Sequence, residues 1–291
     1  MRAWKLKNGD TFKDYGADAF LTMLKGIAFR DPIDRIIDDM ITFSLVTGKI
    51  KKHEVKRESK AFRKKLLEMP GNLLLSSRSE KQKTWDYLRE SYQSAVDGNT
   101  EAATSLWCWL EDYERLLLTL HFWNEIQENR ITPEVWAAIL CNTWQRGKTG
   151  CLLLKAVIST VEIVEMFMAA SAKSLMAEDG EFEAYNSLPD TLEIWRGTSS
   201  EAGHQSTGMS WTLDPIQAEW FALFRSGSAT PLLCRTVVEK KDILAAFDYE
   251  KEIVVNPVKL AKAASIDIKI IPNAKIRAPQ VRKMLEDRQF A

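Results

Sequence analysis

Three short clusters near the C-terminus combine side chains that could act together on one charged ligand: Trp195-Arg196-Gly197, Ser210-Trp211-Thr212 and Glu250-Lys251-Glu252. A guanidinium forms forked hydrogen bonds to phosphate. A hydroxyl, here that of Ser210, can fix a ribose. A carboxylate, here that of Glu252, can face a developing oxocarbenium ion and bond a ribose hydroxyl, stabilising charge that exists only in the transition state. Taken in order, Arg196, Ser210 and Glu252 fill the roles needed to hold NAD and break its nicotinamide–ribose bond.

Matching letters are weak grounds, because the chain repeats them. Ser-x-Thr recurs at Ser228-Ala229-Thr230 and Glu-x-Glu at Glu181-Phe182-Glu183. An arginine on a strand is, by itself, most often half of a surface ion pair. Order and setting separate the three clusters from their copies. Ser210-Trp211-Thr212 lies between a Gly-Met strand start and a helix opened by Asp214-Pro215. Glu250-Lys251-Glu252 opens an Ile-Val-Val strand after a loop bearing Phe247 and Tyr249. Strand alternation would put Glu250 and Glu252 on one face and Lys251 on the other.

Together these clusters resemble the R–S–E signature of mono-ADP-ribosyltransferases, the group shared by clostridial-type toxins, vertebrate ecto-enzymes and phage-encoded transferases. The resemblance covers roughly residues 188–275. It implies that Arg196 contacts NAD phosphate and ribose, and that the Gly197 backbone bonds the nicotinamide amide. Ser210 would position the ribose and the catalytic glutamate. Glu252 would be that catalytic glutamate, and Glu250 would support attack by an arginine side chain. The preceding loop would offer Phe247 or Tyr249 to the target. Phe221 or Trp220, on the helix after the second cluster, would stack on nicotinamide. Trp195 and Thr212 complete the NAD-binding set. Thr212 stands where the family pattern has serine and keeps the hydroxyl; Trp211 takes the middle place.

The elements that must position these residues fall into two kinds. Residues 15–175 read as helix after helix. Asp31-Pro32 opens one and Thr132-Pro133-Glu134 another. A loop is expected over Gly71–Lys83 and a break at Asp97-Gly98-Asn99-Thr100. One long helix is expected from about Glu101 to Gln127, and Gly147 should end the helix that carries Trp136, Leu140 and Trp144. The aromatic stripes at helical spacing read as core. After Asp179-Gly180 strands enter: Thr191–Trp195, Gly208–Thr212, Leu232–Val238, Glu252–Val255 and Ser265–Ile271. A helix over 215–225 would turn Ala218, Phe221, Ala222 and Phe224 inward. One helical turn is expected at Lys241–Ala246 and a terminal helix at Gln280–Arg288. The fold class is therefore α+β, a mainly helical N-terminal half followed by a small two-sheet β core of ADP-ribosyltransferase type. The expected domains are a helical region over 1–98 and a transferase domain over 99–291, with a helical lobe at 99–178 and the NAD-binding core at 188–275.

Composition narrows the partners. Lys+Arg and Asp+Glu number 40 each, so the chain is neutral overall and lacks a charge-driven grip on nucleic acid. Residues 1–100 nevertheless carry 20 basic against 14 acidic side chains, concentrated in 49–65. That run reads as a solvated helix face, with a docking surface for nucleic acid or an acidic partner as the sharper alternative. Cys108, Cys141, Cys151 and Cys234 form no C-x-x-C, and His53, His121 and His204 are scattered, so reduced thiols and no metal site are expected. The apolar stretch from Cys151 to Met176 is broken by Lys155, Glu162, Glu165 and Lys173, which argues against a membrane span. With no signal-type N-terminus, the expected location is the cytoplasm.

The resemblance implies transfer of ADP-ribose from NAD to a macromolecule. Glu250 favours a protein arginine as acceptor, with RNA or DNA as the alternative. Hydrolysis of NAD without an acceptor, or a non-catalytic binding module, are the remaining readings. A toxin-like or phage-defence effector with an antitoxin or inhibitory partner is the role implied by analogy.

Overall fold

The computed structural model describes residues 3–5, 11–13, 16–46, 49–68, 77–146, 150–178, 180–201, 208–248, 250–263 and 266–289. They form two compact units, Met1–Leu175 and Met176–Ala291. No described helix is long and apolar enough to cross a membrane. The expected division near residue 98 falls inside the first unit, between two helices in contact with each other.

The first unit carries a short antiparallel pair, β1 (Ala3–Lys5) and β2 (Thr11–Lys13). Among the described residues ten α-helices follow: α1 (Ala17–Phe29), α2 (Pro32–Val46), α3 (Val55–Leu67), α4 (Arg78–Val96), α5 (Thr100–Trp109), α6 (Asp112–Gln127), α7 (Pro133–Cys141), α8 (Gly150–Val157), α9 (Thr160–Ala169) and α10 (Ala172–Leu175). α7 continues as a π-turn over Asn142–Arg146, and Gly147 lies outside the described residues. The tryptophans on the expected stripes are core except Trp109, which is half-buried. Trp107, Trp123 and Trp136 are buried, and their indole N–H groups donate to Thr143 Oγ1, Glu162 Oε1 and the Met166 carbonyl. Each ring thus fills apolar space without leaving an orphan donor.

Two expectations fail here. Of the loop expected over Gly71–Lys83, residues 71–76 lie outside the described residues and the stretch from Arg78 is helix. The Ser77 hydroxyl accepts from the Glu80 N–H (3.2 Å) and the Glu80 carboxylate accepts from the Ser77 N–H (2.7 Å), a reciprocal cap that starts α4 at Arg78. The long helix expected over 101–127 is two helices, α5 and α6, parted at Leu110 and Glu111 in extended conformation. No glycine or proline makes this break. Glu114 accepts from the Glu111 N–H (3.0 Å), and Asp39 of α2 accepts from the Tyr113 N–H (2.7 Å). Arg35 of α2 grips Glu114 through two bonds (3.0 and 2.5 Å), and its guanidinium lies 4.2 Å from the Trp109 ring.

The second unit opens with the short α11 (Glu181–Asn186) and then builds six strands: β3 (Thr191–Ser199), β4 (Ser210–Thr212), β5 (Pro231–Glu239), β6 (Ile243–Phe247), β7 (Glu252–Val255) and β8 (Asp267–Ile270). α12 (Pro215–Arg225) follows β4, α13 (Pro257–Ala263) follows β7, and α14 (Ala274–Gln289) ends the unit. The α+β class holds. The two-sheet core does not: these six strands form one antiparallel sheet, ordered β6-β7-β4-β3-β5-β8. The sheet is nearly halved, however. β3 and β4 meet at one residue pair, Trp195 with Thr212, whereas β3 and β5 pair along nine residues.

One face of this sheet buries Leu192, Ile194, Trp211, Cys234, Ile253 and Val255. On the other, α12 packs against β3 so closely that a methyl group on Gly197 would strike the backbone of Ala218 and Ala222. Four local expectations are corrected. Ile243–Phe247 is a strand, since its alternate residues bury against β7, and the helical turn is confined to Lys240–Asp242. Phe224 points outward, 69% exposed, because it stacks on Trp220 along the outer side of α12. The strand expected over Ser265–Ile271 is the shorter β8, an edge strand whose four residues are all exposed. The terminal helix begins at Ala274, with Pro279 inside it.

Two predictions concern the helical unit. Arg35→Ala leaves Glu114 as an uncompensated buried charge and should cost about 3–5 kcal/mol in urea unfolding. Arg57→Ala, which breaks exposed bonds to Glu54 and Glu58, should leave the urea midpoint almost unchanged. Equal costs would contradict the buried character of the first pair. Burial also pushes the Asp39 carboxyl up from 3.8 to about 6; the Tyr113 N–H opposes this and the charges of Asp112, Glu111 and Glu114 add to it. An acid raised on folding favours the folded state fully below its unfolded value and loses that advantage as pH climbs through the folded one. Asp39→Asn should therefore gain on the parent protein as pH rises from about 4 to about 7, read from urea midpoints. A gap independent of pH would refute the assignment.

Candidate active site

The three clusters fall on adjacent strands. Arg196 and Gly197 lie on β3, Ser210 and Thr212 are the first and last residues of β4, and Glu252 is the first residue of β7. Backbone pairing sets Trp195, Thr212 and Glu252 in one row across the joint, with Phe247 of β6 next to Glu252. Paired antiparallel residues share a face, so Ser210, Thr212 and Glu252 lie on the side opposite Trp211. Arg196 follows Trp195 in β3 and shares its face with Ile194 and Cys234.

Alternation alone therefore separates the arginine from the other two clusters. The parting of β3 and β4 overcomes that separation. Beyond the Trp195–Thr212 pair no further pairing occurs among the described residues, and the Arg196 side chain occupies the vicinity of the gap. Its Nη1 donates to the Ser210 carbonyl at 2.5 Å. Gly208 makes room: a methyl group there would fall within the guanidinium. Beneath it the buried Cys234 thiol is pushed up by burial, while the positive charge of Arg196 acts in the opposite direction. Ser210 thus meets Arg196 through its main chain, which leaves the hydroxyl out of that contact.

Thr212 ties the second cluster to the third. Its hydroxyl donates to the Glu250 carbonyl (3.0 Å) and accepts from the Asp214 N–H (3.1 Å). Asp214 in turn caps α12 by accepting from the Ile216 N–H (2.9 Å). The approach to Glu252 is a turn. The Lys251 N–H donates to the Asp248 carbonyl (3.0 Å), and the Leu213 N–H donates to the Lys251 carbonyl (3.2 Å). Lys251 has φ +47°, the left-handed region that L side chains enter at a cost. That residue breaks the alternation expected of Glu250 and Glu252: Glu250 belongs to the turn, and the strand starts at Glu252. Both glutamates are half-buried.

The other expected site residues are placed unevenly. Trp195 is half-buried with the Arg235 guanidinium 5.4 Å from its ring. Phe221 is half-buried on α12, beside the Ala222 that packs on Gly197. Trp220 stacks with Phe224 at 5.6 Å, and Arg282 of α14 lies 5.3 Å from its ring. Phe247 is the last residue of β6 and only 3% exposed, so it is a core residue with little surface to offer a target. Tyr249 lies outside the described residues.

A cavity of about 190 Å³ opens beside Glu252, lined also by Glu181, Tyr185, Phe247, Asp248 and Lys251. Comparison with protein-family models, curated proteins and solved structures returned no match. A larger cavity, about 500 Å³, lies along β5 and the end of β7 and touches none of the three clusters. The smaller one is the better candidate because a row residue lines it. Glu181 is the residue that sequence reasoning passed over: it belonged to the Glu-x-Glu copy set aside as coincidence. Its Oε1 accepts from the Asp248 N–H at 2.8 Å, the first residue of the turn before Glu252. No local signal marks a glutamate at the start of a six-residue helix as buried, and the contact spans 67 positions.

The two glycines should respond differently to the same change. Gly197→Ala forces a methyl into helix backbone, which cannot yield, and should cost about 1–3 kcal/mol in thermal unfolding. Gly208→Ala meets a side-chain end instead of backbone, so it should cost less than Gly197→Ala while displacing the Arg196 guanidinium from the Ser210 carbonyl. A melting temperature lowered equally in both would contradict these packings.

Proposed function

We propose that this chain is a mono-ADP-ribosyltransferase, which cleaves NAD at the nicotinamide–ribose bond and transfers ADP-ribose to a macromolecule. The observation that carries the reading is the row Trp195–Thr212–Glu252 across three adjacent strands, with the Arg196 guanidinium beside it where the sheet parts. A guanidinium next to a gap between strands suits a pyrophosphate. A half-buried carboxylate on a cavity suits the positive charge that develops at ribose C1 as nicotinamide leaves. The ribose–nicotinamide bond breaks with its electron pair going to nicotinamide. A bond forms from C1 to the acceptor nitrogen, and the acceptor gives up one proton.

The first acceptor is a protein arginine, on the strength of Glu250 in the turn. Glu250 is half-buried and its carbonyl is tied to Thr212, which sets its side chain close before Glu252 in the chain. A nucleic-acid acceptor is the second reading. It rests on α3, where Lys56, Lys60 and Arg63 line a groove of about 380 Å³ with Arg30. Asp34 and Asp38 pair with Arg63 and Arg30 in that groove and offset much of its charge.

Release of nicotinamide from labelled NAD tests the chemistry. Glu252→Gln should slow release by about 10²-fold or more, as loss of a transition-state charge partner does. Release at the parent rate would sink the proposal. Label carried into a cell extract should vanish from high-molecular-weight material on protease treatment; loss on nuclease treatment instead would favour the second acceptor.

A further inference from the structure

We propose that Glu181 is the positioning residue of this site, clamping the turn that delivers Glu250 and Glu252. The inference rests on the transferase reading for its catalytic consequence and on geometry for the clamp itself. Glu181 begins α11 and is 4% exposed. One carboxyl oxygen accepts from the Asp248 N–H. The other is buried without a well-formed hydrogen bond among the described residues. Burial pushes its acid up and the charges of Glu178 and Asp248 add to this, against the pull of the Asp248 and Glu178 N–H groups.

A purely structural position of this kind favours an apolar side chain, since a buried acid with a poorly bonded oxygen costs free energy. Here the acid does something an apolar residue could not. It fixes Asp248, four residues before Glu252 and at the start of the turn. Thr212 fixes the other end by bonding the Glu250 carbonyl. The left-handed Lys251 follows the second anchor and leads directly into Glu252. The turn is therefore held by α11 on one side and β4 on the other, and Glu181 and Glu252 line the same cavity. Without the first anchor, Glu250 and Glu252 would sample positions displaced from the row.

The test compares Glu181→Ala with Glu181→Gln in the full chain. The amide oxygen of Gln accepts the same bond and is a neutral match for a buried acid. Glu181→Ala should lower kcat for nicotinamide release about 10-fold with KM for NAD within about twofold, and Glu181→Gln should restore kcat to within about threefold of the parent. Exchange of the Asp248 amide hydrogen reads the clamp without NAD: about 10-fold faster in Glu181→Ala, unchanged in Glu181→Gln. Should Glu181→Ala fail to fold, Glu181→Asp, one methylene short of the amide, replaces it with the same expected losses. Unchanged kcat in the shortened variant, or Gln as damaging as Ala, overturns the positioning role. Unchanged exchange overturns the clamp. A parent chain that releases no nicotinamide, yet shows the expected exchange, sinks the transferase reading and the positioning role while leaving the clamp standing.

Discussion

The second unit depends on a single backbone pairing. Trp195 and Thr212 join two three-stranded halves that otherwise share no ladder among the described residues. A joint that slight would be weak were it not reinforced by side chains. On the β4 side the Thr212 hydroxyl holds the turn before β7 and the start of α12 together. Arg196 contributes across the gap by bonding the Ser210 carbonyl. The side chains that brace the joint are thus the ones assigned to chemistry. A sheet continuous between β3 and β4 would be sturdier and would leave no opening for a ligand.

The helical unit shows the same device away from its basic groove. α5 and α6 part because Arg35, Asp39 and Glu114 make the extended segment cheaper than another helical turn. In both units a short run of main chain is held in its shape by charged groups far away in sequence. Such contacts add little to net stability when intact, because desolvating the charges offsets the attraction. They select one conformation over its neighbours.

That distinction explains what the sequence disclosed. Helix starts were legible wherever the signal was local: Thr132 caps α7 and Asp214 caps α12, each beside a proline at the first helical position. The strand order of the three clusters was legible from β-branched residues and their punctuation. Features decided at a distance were not. The α5–α6 break turns on Arg35 and Asp39, more than seventy positions upstream. Glu181 gains its place from an amide 67 positions downstream. Phe224 has the same helical spacing as its inward neighbours, and its fate is settled by Trp220 and the outer side of α12. The two-sheet expectation misjudged how little contact suffices to keep six strands in one sheet.

Lys251 has one more consequence. Glycine would adopt its left-handed backbone freely, whereas lysine holds it at roughly 1–2 kcal/mol. That cost is borne from the moment the chain folds, long before any ligand arrives. Ordering a loop on binding would subtract its entropy from every encounter, and a turn already in shape asks for none. The strain of this turn is met in the assembly of the fold, once in the lifetime of each molecule.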